Sequence, residues 1–194
     1  MSAQPNRLFF ALVPDPEVRA ACAAAAREIK LKAQPSGALV PPERYHLTLL
    51  FLGSFVTPLQ EQALSEAAAA LRQAPFSLLL DHASSFARER QVPWWLGPRE
   101  ASPAMLKLYG ALRDAAHRAG ITPERSRFAP HLTIVRDARH ALAQTAIKPV
   151  EWRVREFVLI RSVLDSTPPE YRVIGRWPLV EAAPAEQPAQ MKLF

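Results

Sequence analysis

The tetrapeptide His46-Leu47-Thr48-Leu49 returns later in the chain as His131-Leu132-Thr133-Ile134, and this repeat limits the possible folds more than any other feature. Random placement of five histidines and six threonines over 194 residues predicts roughly 0.15 His-x-Thr triplets, and two are present. Both copies lie in apolar, β-forming runs. Side chains two apart on a strand share a face. Each copy therefore sets one imidazole beside one hydroxyl, while Leu47, Leu49, Leu132 and Ile134 point the other way, into a core. A lone strand histidine usually serves a hydrogen-bond network, and a lone strand threonine usually reflects β-propensity. Two copies on two distant strands predict two similar halves, related by a pseudo-twofold, that bring both motifs to one central cleft.

The remaining pattern fits that plan. Asp15-Pro16 puts a capping side chain ahead of proline at the first helical position, which predicts a helix over Val18 to Lys32. A second helix is predicted from Thr57-Pro58 to about Arg72. A third runs over Ala101 to Ala119, with Met105, Leu108 and Leu112 on one face and Gly120 as its stop. Strands are predicted at Leu8 to Val13, Tyr45 to Leu52, Phe76 to Leu80, Ser84 to Phe86, Val92 to Leu96, His131 to Val135, Trp152 to Ser162 and Tyr171 to Leu179. Arg88-Glu89-Arg90 reads as a charged turn. Strands and helices do not alternate cleanly, so an α+β protein with antiparallel sheets is expected, not a doubly wound parallel sheet. Residues 1–180 are expected to form one bilobal domain. Residues 181–194, with Pro184, Pro188 and few apolar side chains, read as a flexible C-terminal tail.

Composition narrows the setting. Apolar residues make up 49% of the chain, enough for a core. The net charge of +6 and a pI near 10.0 suit an anionic partner. No apolar run approaches the ~20 residues needed to span a bilayer, so no membrane partner is expected. The polar start leads directly into a strand and does not read as a secretory signal. The single cysteine, Cys22, excludes an internal disulfide framework and reads as a small buried hydrophobe. A monomer in a reducing cytoplasm is the expected setting.

The repeated motif holds the groups that metal-free phosphodiester chemistry requires. Imidazole titrates near ~6.5, so one ring can take a proton from water while another gives one to a leaving oxygen. Thr48 and Thr133 can donate hydrogen bonds to non-bridging phosphate oxygens. Neither motif carries the further histidine, cysteine or carboxylate that a zinc site needs, and His82, His117 and His140 lack ligand spacing, so no metal or other cofactor is expected. There is no phosphate-cradling Gly-x-x-x-x-Gly-Lys loop and no Gly-x-Ser-x-Gly nucleophile elbow. By strict alternation Arg136 faces away from His131. A strand end or bulge at Val135 would instead turn its guanidinium toward a phosphate. Spacing alone leaves both options open. Trp94, Trp95, Phe86 and Phe128 are candidates for stacking on a base, with no basis in the sequence for choosing among them.

Several segments together carry a family resemblance. They are Arg7-Leu8-Phe9-Phe10-Ala11-Leu12, the first motif followed by Phe51-Leu52-Gly53, and Arg127-Phe128-Ala129-Pro130 leading through the second motif to Val135-Arg136. The closing Arg161-Ser162-Val163-Leu164, Tyr171 and Arg176-Trp177-Pro178-Leu179 also fit. In these the chain resembles the two-histidine phosphoesterase superfamily, and within it the bacterial RNA 2',3'-cyclic phosphodiesterases, also called 2'-5' RNA ligases. The resemblance implies a bilobal α+β fold of two antiparallel sheets around a cleft, with helices outside. It implies hydrolysis of an RNA terminal 2',3'-cyclic phosphate to a 2'-phosphomonoester without metal or ATP. It assigns His46 as proton donor to the departing 3' oxygen and His131 as the base that activates water. Thr48 and Thr133 hold the phosphate oxygens, and Arg136 matches an arginine that assists there. One departure is visible: Ser126 stands where family members often carry an arginine, and Arg127 abuts Phe128. Alternative readings are a reversible 2'-5' RNA ligase, a phosphodiesterase for another cyclic nucleotide or an ADP-ribose derivative, and a non-catalytic RNA-binding module.

Overall fold

Asp15-Pro16, Thr57-Pro58 and Ser102-Pro103 each start a helix, and in each the residue before proline caps it. These are α1 (Pro16–Ala33), α2 (Pro58–Ala69) and α3 (Pro103–Arg118). Asp15 accepts a hydrogen bond from the Val18 N–H at 2.9 Å, and Ser102 accepts one from Met105 at 3.2 Å. Thr57 and Gln60 cap one another, each side chain accepting from the other's backbone N–H. Such caps satisfy N–H groups that the first helical turn leaves without partners. Helix α2 stops short of the expected Arg72, whose guanidinium instead donates to the carbonyls of Ala69 and Leu71. Cys22 is buried in α1 among alanines, and burial pushes its thiol up to about 12.

The computed structural model describes residues 6–34, 36–86, 91–123, 128–163 and 170–180. The expected turn Arg88-Glu89-Arg90, the Ser126-Arg127 departure, Leu164 and the tail over 181–194 lie outside them. Among the described residues nine strands form: β1 (Asn6–Leu12), β2 (Ala38–Leu39), β3 (Leu47–Gly53), β4 (Phe76–Ser85), β5 (Val92–Gly97), β6 (Leu132–Ala138), β7 (Thr145–Val154), β8 (Glu156–Val163) and β9 (Glu170–Pro178). Their order is β7-β4-β5-β6-β3-β1-β8-β9, with β2 added beside β6. Every pairing is antiparallel, which makes this an α+β protein.

The two halves of that order meet at one residue pair, Leu47 opposite Leu132. Each half contains the same unit. Strand β1 leads through α1 to β3 and pairs with it; strand β5 leads through α3 to β6 and pairs with it. The expected pseudo-twofold therefore takes the form of two antiparallel halves of four strands each, with β2 added to one, joined at a narrow waist where both motif strands lie.

The expected strand over Trp152 to Ser162 is in fact two, separated at Arg155. Strand β7 pairs with β4 on one outer edge, whereas β8 pairs with β1 in the other half. The beginning of β7 falls in a segment that reads as a polar connection. It is an edge strand with Pro149 inside it and exposed residues over Lys148 and Pro149, so its apolar signal appears only from Val150 onward. Strand β4 runs unbroken through both pieces expected over Phe76 to Phe86, with an irregularity between Leu80 and His82.

The main core packs Leu8, Phe10, Leu12, Leu47, Leu49, Leu132 and Ile134 with buried residues of all three helices. Phe9, Ala11, Val158 and Ile160 form a second, smaller cluster, bordered by Phe51 and Tyr171. Alternation along β1 puts this cluster on the opposite face of the sheet. Among the described residues, no helix is long and apolar enough to cross a membrane.

Candidate active site

Both motif strands break alternation in the same place. In β3, Leu49 and Leu50 are both buried; Phe10 pairs with Leu50 while Ala11 pairs with Thr48, so Leu49 is an extra residue. In β6, Ile134 and Val135 are both buried; Trp94 pairs with Val135 while Trp95 pairs with Thr133, so Ile134 is extra. A bulge of this kind re-aims the residues that follow it. Phe51 and Arg136 consequently return to the face that carries the threonines. The sequence left Arg136 either facing away or turned inward by a bulge, and the bulge is what occurs. Strand β2 braces it: Ala38 pairs with Arg136, Leu39 with Val135, and the Val40 N–H donates to the Ile134 carbonyl at 2.9 Å. A side chain on Gly37 would collide with the Arg136 carbonyl, so glycine permits this close approach.

His46 and His131 each stand one residue ahead of their strands, and each makes the same contact. The Nδ1–H of His46 donates to the Arg44 carbonyl at 2.8 Å, and that of His131 donates to the Ala129 carbonyl at 2.8 Å. A carbonyl can only accept, so Nδ1 carries the hydrogen and Nε2 holds the lone pair. Extending the Leu47–Leu132 register by one residue sets His46 opposite Thr133 and Thr48 opposite His131. Directly opposed Cβ atoms lie about 5 Å apart and diagonal ones roughly 7–8 Å apart. That register brings the two histidines and two threonines together at the waist.

Aromatic rings flank the histidine of each half. His46 lies 5.0 Å from Tyr171 and 5.3 Å from Phe9, centroid to centroid. His131 lies 4.8 Å from Phe86 and 6.3 Å from Trp95. Two of the four aromatics that the sequence offered are therefore at the site. The other two are elsewhere: Trp94 is buried, donating to the His140 carbonyl at 2.8 Å, and Phe128 stacks on Tyr109 at 4.4 Å.

This enclosure sets the electrostatics. Desolvation pushes His46 down to about 4 against the hydrogen bond to the Arg44 carbonyl, and the positive charges of Arg136 and Arg44, with that of His131 when it is protonated, act in the same direction as burial. Desolvation also lowers His131. Both imidazoles are therefore neutral at pH 7 in the absence of ligand. Among the described residues, no group of three or more His, Cys, Asp and Glu side chains is placed to hold a metal ion.

A family model described as the 2'-5' RNA ligase superfamily matches residues 14–165, most of the chain. The chain belongs to that superfamily. Relatives agree along nearly its whole length. The RNA 2',3'-cyclic phosphodiesterase of Escherichia coli (strain K12) is 35% identical over 187 residues, covering 92% of this chain and 99% of the relative. The protein of the same name from Thermus thermophilus is 34% identical over 188 residues, covering 89% and 90%. The crystal structure of E. coli LigT in apo form superposes with a TM-score of 0.76 at 34% identity, covering 92% of this chain and all of that one. The LigT complex with 3'-AMP gives 0.74 at 34%, with the same coverage.

The superfamily's twofold plan is visible in the matched bulges, but the residues after them differ. The first half carries apolar Phe51 and the second carries Arg136. The site thus has two similar imidazoles, and the guanidinium of Arg136 has no counterpart at the equivalent place in the first half. Sequence reasoning gave no role to Tyr171, Phe9 or Arg44. Tyr171 and Phe9 belong to strands β9 and β1, and only the folded sheet brings them to the motif.

Proposed function

We propose that this protein is an RNA 2',3'-cyclic phosphodiesterase that opens a terminal cyclic phosphate to a 2'-phosphomonoester. The observation that carries this reading is the pair of histidines, each with Nδ1 tied to a backbone carbonyl and Nε2 free, on one face with two threonine hydroxyls and Arg136. In the reaction, water attacks phosphorus as the bond from phosphorus to the 3' oxygen breaks. Nε2 of His131 takes the water proton, and Nε2–H of His46 gives one to the departing 3' oxygen. Thr48 and Thr133 donate to the non-bridging oxygens, and Arg136 balances the charge that builds on them. The assignment of acid to His46 and base to His131 follows the family resemblance. A lone buried thiol fits a cytoplasmic enzyme. With an RNA 5'-hydroxyl in place of water, the same groups would join ends through a 2'-5' linkage, which the superfamily's description favours as a second activity.

The electrostatics make a pH prediction. Catalysis needs one protonated and one neutral imidazole. Both pKa values are depressed in the free enzyme, so kcat/KM should rise as the pH falls below 7. It should peak on the acid side of pH 6.5, between the two histidine values. A bound phosphodiester anion opposes the cations around His46 and raises its pKa, so the kcat optimum should lie at higher pH than that of kcat/KM. Rate profiles from pH 4 to 9 would show the offset; coincident optima above pH 7 would contradict it.

The direct test is turnover of an RNA ending in a 2',3'-cyclic phosphate, with EDTA present. A 2'-phosphomonoester product supports the proposal. Binding without turnover would make the protein an RNA-binding module. Loss of turnover in EDTA would rule out the metal-free mechanism.

A further inference from the structure

Tyr171 lies on β9, four strands away from β6 in the sheet order. On a flat sheet that separation would be about 19 Å. Yet the Arg136 Nη2–H donates to the Tyr171 hydroxyl at 3.3 Å. The curl of the sheet and two long side chains close the distance, so the contact joins the two halves. The same ring has Arg44 over its face at 4.8 Å from the centroid, and its plane stands nearly perpendicular to His46, at 83°. Phe9 packs edge-on against it at 5.8 Å.

One tyrosine therefore touches a guanidinium through its hydroxyl, a second guanidinium through its π face, and a histidine through a ring contact. Two of these contacts, to Arg136 and His46, constrain groups assigned to the phosphate. An arginine side chain has several free rotors and loses entropy when fixed. Arg136 is exposed at the cleft, so its orientation needs an anchor. The tyrosine hydroxyl occupies one N–H and leaves the others for a phosphate oxygen.

We propose that Tyr171 is a positioning residue for this site: its hydroxyl fixes the Arg136 guanidinium toward the phosphate, and its ring separates Arg136 and Arg44 beside His46. The proposal rests on the reading of Arg136 as a phosphate ligand given above. Tyr171 closes one half of the protein over a cation supplied by the other.

The test is a double-mutant cycle with Tyr171→Phe and Arg136→Ala, read out as KM, kcat and inhibition by inorganic phosphate. Phenylalanine retains the ring contacts with Phe9, His46 and Arg44 and removes only the hydroxyl. Tyr171→Phe should raise KM and the phosphate inhibition constant together by roughly five- to tenfold, and lower kcat in the same direction as Arg136→Ala but by far less. In the Arg136→Ala background the same change should have less than about a twofold effect, because the group that it positions is gone. Equal losses in both backgrounds, or no loss in the wild-type background, would overturn the proposal. A fall in melting temperature with kinetics uncoupled from Arg136 would make Tyr171 a packing residue and also overturn it. If Arg136→Ala by itself changes nothing, the phosphate-ligand reading fails first, and the cycle separates that failure from this one.

Discussion

His46→Ala and His131→Ala are each expected to lower kcat/KM by ~10²–10⁴-fold, the range for losing a positioned acid or base. The loss should fall mainly on kcat, because the threonine hydroxyls and Arg136 still hold the phosphate. The double variant should be little worse than either single one, since two groups that act in one proton relay do not contribute independently. Folding should survive both changes. The imidazoles are half-buried at the ends of β3 and β6, outside the main core, and each makes one side-chain hydrogen bond, to a nearby carbonyl. The folded pKa of His46 lies below its unfolded value. Its contribution to stability is thus complete above about pH 6.5 and is lost as the pH falls toward 4. Removing His46 should therefore flatten the acid side of the melting-temperature profile while it lowers turnover. Wild-type rates in either variant would remove that residue from the mechanism.

The second large effect is expected at Arg136. Loss of one preorganised donor aimed at developing negative charge costs about 10²–10³-fold in rate, and Arg136 adds a full charge. Arg136→Ala should raise KM and also lower kcat, because the charge on the phosphate oxygens grows toward the transition state. Lysine should restore little, since an ammonium lacks the planar fork that can hold Tyr171 and a phosphate oxygen together. The pH profile supplies an independent readout. Arg136 depresses the His46 pKa, so without it the acidic limb of kcat/KM should move upward. An Arg136→Ala enzyme with unchanged kinetics and an unchanged limb would show that the guanidinium does not reach the phosphate.

The motif pair was legible in the sequence because chemistry and periodicity coincide there. A two-residue spacing on a strand fixes which side chains share a face, and both copies obey it. The helix starts at Asp15-Pro16 and Thr57-Pro58 were equally legible, since capping residue and proline are local signals; the third helix starts at Pro103, not at the expected Ala101. The position of Arg136 was not, because a bulge is a tertiary compromise. Leu49-Leu50 and Ile134-Val135 look like ordinary apolar strand residues until their partners, Phe10 and Ala11 or Trp94 and Trp95, reveal the extra one. Strand β7 was hidden for a related reason: an edge strand with Pro149 and one buried face carries little apolar signal. The role of Tyr171 depends on how far the sheet curls, which no local pattern records.

The central claim is that two histidines from two halves of the chain address one phosphoryl group. A crystal structure of the complex with the 2'-phosphomonoester product tests it most directly. It should place the phosphate between the two Nε2 atoms, each within about 2.6–3.2 Å of a phosphate or ribose oxygen, with Thr48, Thr133 and Arg136 on the non-bridging oxygens. A phosphate bound to one imidazole alone, or seated away from both, would contradict the account.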